Sequence, residues 1–115
     1  MPPRVEPAAF LQWHKQANPD VILSVHDDII GWLDQSGVRV PRDAGFLHLD
    51  VWDEDMRVSG TYQHPALLAG RAVELVDLLL RNNEHGKADI RQNVVVEGSW
   101  NPGTTVRRHR PARPA

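Results

Sequence analysis

The chain contains no cysteine. Disulfides, thiolate metal sites and cysteine nucleophiles are therefore excluded, although the compartment is not fixed by that alone. Long apolar runs are missing too. "VILSV" and "LVDLLL" are the most apolar stretches, and both fall far short of the roughly 20 residues that a membrane-spanning helix needs. The opening "MPPRVEPAAF" has no apolar segment of the kind a secretory signal carries. A cytoplasmic protein without membrane contact is the expectation. Charge of one sign is also scarce: a formal net charge of -2 supplies no drive toward nucleic acid or an anionic membrane. Gly-rich phosphate loops, nucleophile elbows, Ser/His/Asp patterns and HExxH spacing are all lacking, and no cofactor is expected. A receiver domain would want a lysine after a late strand, but the lysines are Lys15 and Lys87, in a helix and a loop.

What remains is enough for one small domain or a piece of a larger one: 115 residues, 41% of them apolar. Residues 1–7, with three prolines, form an irregular lead-in. "PAAFLQWHKQANPD" predicts a helix with Phe10, Leu11 and Trp13 inward, stopped where Asn18 precedes Pro19. "VILSV" (21–25) predicts a buried strand. A helix then starts at His26-Asp27-Asp28, where an acid suits the free N–H groups and the positive end of the dipole. Its apolar face is Ile29, Ile30 and Leu33, and Gly37 caps it. "AGFLHL" (44–49) is the next strand, reached through a loop whose Pro41 forbids helix continuation. Strand, helix and strand of this kind imply a right-handed crossover in a parallel sheet.

Farther along, "VWDEDMRVS" is an acidic loop and "GTYQ" (60–63) a brief strand. A long helix follows between Pro65 and Gly86, apolar almost all round, which demands cover on more than one side. "QNVVVEG" (92–98) reads as a last strand, and 107–115 as a disordered basic tail. Trp13 and Trp32 are assigned to the core. Trp52 and Trp100 fall in loops, where a Trp either plugs a gap or stacks on a sugar, and plugging is the preferred reading.

Open parallel sheets bind ligands beyond the C-terminal ends of their strands. Here those ends carry His26-Asp27 and His48-Leu49-Asp50. Asp27 is either a helix cap or a ligand contact. His26, Asp27, His48 and Asp50 could alternatively supply metal ligands for a freestanding α/β hydrolase. A third reading is an interaction fragment that pairs with an intact regulator.

From Pro7 to Arg108 the chain resembles the C-terminal part of the effector-sensing domain of the LacI/GalR family of transcriptional regulators. The segments that carry this are "PDVILSVHDDIIGWL", "SGVRVPRDAGFLHLD", "SGTYQHPALLAGRAVELVDLLL" and "VVVEGSWNPGTTVRR", in the family's order. "GTYQ", "RNNEHG" and "VVVEGSW" are similar to a xylose-regulator subgroup. The family's Gly-Tyr/Phe-Asp-Asp stands here as His48-Leu49-Asp50-Val51.

The resemblance implies a partial type I periplasmic-binding-protein fold, α/β, with a mainly parallel sheet flanked by helices. Residues 8–58 and 89–106 would belong to the C-terminal lobe, and 59–88 would cross to the N-terminal lobe. It implies a small effector, of sugar type, held by Asp27 and Gln63, with His26, His48, Asp50 and Trp52 at the pocket rim. It implies a homodimer in the parent protein and no enzymatic chemistry. The family's helix-turn-helix reader and first sensor lobe have no counterpart in these residues, so this chain is not expected to bind operator DNA specifically. Any residual binding through Arg107 to Arg113 should weaken steeply as salt rises. Anisotropy titrations at increasing salt check this, and sequence-specific, salt-tolerant binding would contradict it.

Overall fold

In the computed structural model, residues 5–53, 57–109 and 114 are described. The element order is α1 (Pro7–Ala17), β1 (Val21–Ser24), α2 (Asp28–Gln35), β2 (Gly45–Val51), β3 (Gly60–Tyr62), α3 (Pro65–Arg81) and β4 (Ser99–Asn101). One open sheet runs in the order β1-β2-β3-β4. The first three strands are parallel, and β4 lies antiparallel to β3. The fold is thus mixed α/β, with a mostly parallel sheet and flanking helices.

Local chemistry explains most boundaries. Pro7 opens α1, where its missing N–H is no loss. Asn18 closes it in the left-handed region, with its N–H donating to the His14 carbonyl. The inward face of α1 differs from expectation. Phe10 and His14, four residues apart, are buried, whereas Leu11 is half-buried and Trp13 is 47% exposed. Phe10 and His14 centre the buried stripe, and Trp13 sits at its flank, with its ring 5.7 Å from that of Phe10 and the rest in solvent.

The β1–β2 register places Ile22 beside Phe46 and Ser24 beside His48. Ile22 and Phe46 share a face with Phe10 from α1 and with Ile29 and Leu33 from α2, and these five form the core. Trp32 is half-buried at its margin, with its ring 5.7 Å from that of Phe10. On the opposite face Val21, Leu23 and Leu49 are exposed, and Leu23 reaches 61%. One face of this sheet is therefore covered and the other is bare.

β2 and β3 do not pair evenly. His48 aligns with Gly60 and Val51 with Tyr62, so three steps on β2 match two on β3. This is a bulge at Leu49–Asp50, which frees backbone groups from the ladder. Gly60 is required there, because a Cβ would overlap the His48 carbonyl.

The segment after β4 knits the opposite end of the sheet. Thr105 Oγ1 donates to the Phe46 carbonyl at 2.6 Å and accepts from the Ser59 N–H at 2.8 Å. The Phe46 N–H donates to the Thr105 carbonyl, and Asn101 Nδ2 to the Val58 carbonyl. Gly103, at φ +44°, turns the chain against the Val58–Ser59 backbone, where a Cβ would collide.

The excursion between β3 and β4 stands apart. It leaves beside Tyr62 and returns beside its ladder partner Ser99. His64 adopts a left-handed conformation and places Nε2 2.9 Å from Ser99 Oγ, clamping the two stems. Among the described residues, none of α3 is buried, and Val73 is 69% exposed. The strand expected over 92–98 is not formed; β4 is Ser99–Asn101 instead. Val94 to Val96 have strand propensity but no strand beside them to complete a ladder, and propensity without a partner does not make a sheet. Val94 and Val96 instead line a groove against Leu68, Ala72 and Leu75 of α3. The radius of gyration is 19.8 Å, against about 13 Å for a compact domain of this length.

The tryptophan expectations divide as well. Trp52 is 64% exposed after β2, and Trp100 is exposed on β4, so neither plugs a gap. Of the acidic loop, 54–56 lie outside the described residues, as do 1–4 of the lead-in and 110–113 and 115 of the tail.

Two outcomes follow from this packing. Thr105→Val keeps the shape but strands the Ser59 N–H and the Phe46 carbonyl, so urea unfolding should show a loss of about 1–3 kcal/mol. The exposed apolar surface of α3 and of the bare sheet face should make the isolated chain self-associate and bind an apolar dye. Light scattering and dye fluorescence check this; a monodisperse monomer that binds no dye would contradict it.

Candidate functional site at the strand ends

Three parallel strands end side by side, and the sequence places a polar residue at each end. Asp27 follows β1 and directly precedes α2. His48 and Asp50 lie on the last part of β2, and Gln63 follows β3. Strand order makes these neighbours, which their separation along the chain does not.

His48 is the centre of the group. It sits on the core face next to Phe46, with the rings edge-on at 6.0 Å, and is only 2% exposed. The Asp50 N–H donates to its Nδ1 at 3.0 Å. An imidazole nitrogen that accepts cannot carry the proton, so the neutral ring must be protonated at Nε2. Oδ1 of Asp27 lies 2.9 Å from that Nε2. The distance is that of a hydrogen bond but the alignment is not, and Nε2 is left without a well-directed partner. The contact is close and electrostatically favourable. The Asp27 side chain is itself 61% exposed.

The cap reading of Asp27 does not hold. It occupies the position before α2, but its φ and ψ are already helical and its side chain makes no capping bond. A side chain turned toward His48 cannot also reach back to the first helical N–H groups.

The bulge supplies the remaining contacts. Its geometry releases the Asp50 N–H toward the His48 ring, and Gln63 Nε2 donates to the Leu49 carbonyl at 3.2 Å. The Gln63 N–H also donates to the Val51 carbonyl. The Gln63 side chain thus bridges β3 to β2 with its Oε1 left over as an acceptor. Asp50, Trp52 and His26 are exposed at the same edge. His26 uses its N–H on Ser24 Oγ.

The metal alternative fares differently. Among the described residues, no three His, Asp or Glu side chains converge as a metal-binding group. Asp27 and His48 meet, but His26 and Asp50 do not complete a cluster with them. A bulge and a helix start turn the side chains to different uses, which spacing in the sequence does not reveal.

Two features escaped sequence reasoning. One is the Asp50 N–H bond that sets the His48 tautomer; the other is the pairing of His48 with Asp27. A histidine between apolar residues near the end of a strand was the available signal for both.

Among the described residues, the site is an open edge with no facing wall. Grooves lie along α3 and beside Trp100. Among the described residues, no helix is long and apolar enough to cross a membrane. Compared with protein-family models, curated proteins and solved structures, the chain matches none of them.

Proposed function

We propose that this chain is the ligand-sensing portion of a LacI-type transcriptional regulator. Its effector is a small uncharged sugar-like molecule, bound at the edge formed by Asp27 and Gln63. One observation carries the reading: Asp27 after β1 meets His48 on the last part of β2, Gln63 after β3 bonds the neighbouring Leu49 carbonyl, and residues 63–98 leave and re-enter the sheet at that same edge. Open α/β sheets use this edge for ligands. An excursion that leaves and returns there, apolar on most sides and unpacked, suits a segment that belongs to a second lobe.

On this reading, the second lobe supplies the missing wall. Because β3 pairs with β2 and β4 in the one sheet, residues 8–62 and 99–106 build one lobe on this reading, while 63–98 contribute to the other. A ligand between lobes favours one closure state, and that bias alters DNA affinity at a distant reader in a dimeric cytoplasmic parent. No chemistry is performed. A carboxylate suits a hydroxyl-rich ligand because it accepts charge-assisted hydrogen bonds. Asp28 and Asp50, both at this edge, disfavour a phosphorylated or otherwise anionic one.

The uncovered α3 also favours a second reading, in which the chain pairs with an intact regulator as an interaction fragment. Co-purification of the chain with such a regulator, lost when Val73 and Val76 are made polar, separates that reading from free self-association.

Calorimetry decides the effector assignment in a two-lobed regulator that carries this segment. Asp27→Asn keeps the shape and removes the charge. A charge-assisted bond is worth on the order of 1.5–3 kcal/mol, so effector affinity should fall at least about tenfold, one decade being ~1.4 kcal/mol. The melting temperature should hardly move, since Asp27 makes no capping bond. Gln63→Ala should weaken binding less, because a neutral amide contributes less than a carboxylate. Unchanged affinity in Asp27→Asn would remove Asp27 from the site.

A further inference from the structure

The His48 ring is buried at 2% exposure, yet it makes two polar contacts at the ligand-facing edge. A buried imidazole is costly unless both nitrogens are satisfied. Nδ1 is satisfied by the Asp50 N–H. Nε2, which then bears the proton, has Asp27 Oδ1 2.9 Å away as a close electrostatic contact but without an aligned hydrogen bond. We propose that His48 is a positioning residue: it holds Oδ1 of Asp27 and so presents Oδ2 as a fixed, single acceptor for a hydroxyl of an uncharged polyol. The inference rests on reading Asp27 as the effector's acceptor.

Three features make the arrangement directional. The bulge at Leu49–Asp50 aims the Asp50 N–H back at the ring. That bond selects one tautomer, and the tautomer decides which ring edge can donate. Phe46 backs the ring edge-on, and Gly60 lets β3 approach the His48 carbonyl without a side chain between. Burial and the Asp50 bond hold the ring, whereas the exposed Asp27 carboxylate on its own is free to rotate. With Oδ1 retained by His48, Asp27 engages one ligand hydroxyl strongly through Oδ2 and does not grip two with its paired oxygens. Recognition is then monodentate, and the second hydroxyl contact falls to Gln63 Oε1.

The test uses the whole chain and no effector. Histidine 15N NMR reports the tautomer of His48, in solution or on sedimented protein if the chain self-associates. The Nε2–H form should exceed the Nδ1–H form by roughly tenfold, the bias that ~1.4 kcal/mol confers. A 15N–13C dipolar measurement should then detect His48 Nε2 within contact of Asp27 Cγ. In Asp27→Asn the tautomer should persist, because Asp50 sets it. In His48→Gln the new amide nitrogen should recover contact with Asp27 Cγ. In His48→Phe, which keeps the ring, the Asp27 carboxylate should sample several rotamers. A dominant Nδ1–H form, tautomers averaged on the NMR timescale, or no Nε2 contact with Asp27 would each overturn the proposal, and those measurements need no variant to fold. A fixed pair in a two-lobed parent whose sugar affinity ignores Asp27→Asn would instead sink the sensor assignment. Sugar binding with a freely rotating Asp27 would sink only the positioning role.

Discussion

The bulge after His48 is the constraint on which the strand-end geometry depends. A regular parallel ladder would commit the Asp50 N–H to β3. The irregularity at Leu49–Asp50 frees that N–H and leaves the Leu49 carbonyl within reach of the end of β3. One then turns inward to the His48 ring, and the other accepts the Gln63 side chain. Gly60 makes the close approach possible at the same point. The Gln63 side chain thus supplements the backbone pairing of β2 with β3, and Asp27 after β1 meets His48 on β2.

The opposite end of the sheet is held by a different device. Thr105, Ser59 and Asn101 are buried and share their hydrogen bonds with the backbone of β2 and of the segment before β3. Each lies more than forty residues from its partner along the chain. A polar network this buried holds only when its members are satisfied, and it makes residues 99–106 integral to the sheet. The small apolar core of five side chains lies between these two polar ends and covers a single sheet face.

That one-sidedness links packing to the functional reading. Parallel sheets are ordinarily covered on both faces, whereas here Leu23 and Leu49 are exposed and α3 takes no part in the core. The clamp between His64 and Ser99 fixes where residues 63–98 leave the sheet without fixing what they pack against. On the proposed reading, the open strand-end edge and the unpacked apolar arm beside it share one remedy, a second body facing the strand ends.

Periodicity and punctuation in the sequence determined the local elements. The apolar run at 21–25, the Asn18-Pro19 stop, the start of α3 at Pro65 and the brief strand at 60 are local events, set by propensity and by backbone rules that act over a few residues. The sequence likewise placed Asp27 and His48 at strand ends, because a parallel order puts those ends on one edge, whereas Gln63 was legible only through the resemblance. Tertiary structure alone decided the rest. Val94 to Val96 carry every local mark of a strand, but no neighbouring strand lies beside them, and the strand forms at Ser99 instead. Trp13 sits at the flank of the buried stripe, not within it. Asp27 has the residue type and position of a cap, yet its carboxylate meets a histidine that is twenty-one residues away in the chain. Ladder partners, core-facing stripes and ring tautomers are all set by atoms distant in sequence, and a one-residue bulge is enough to redirect them.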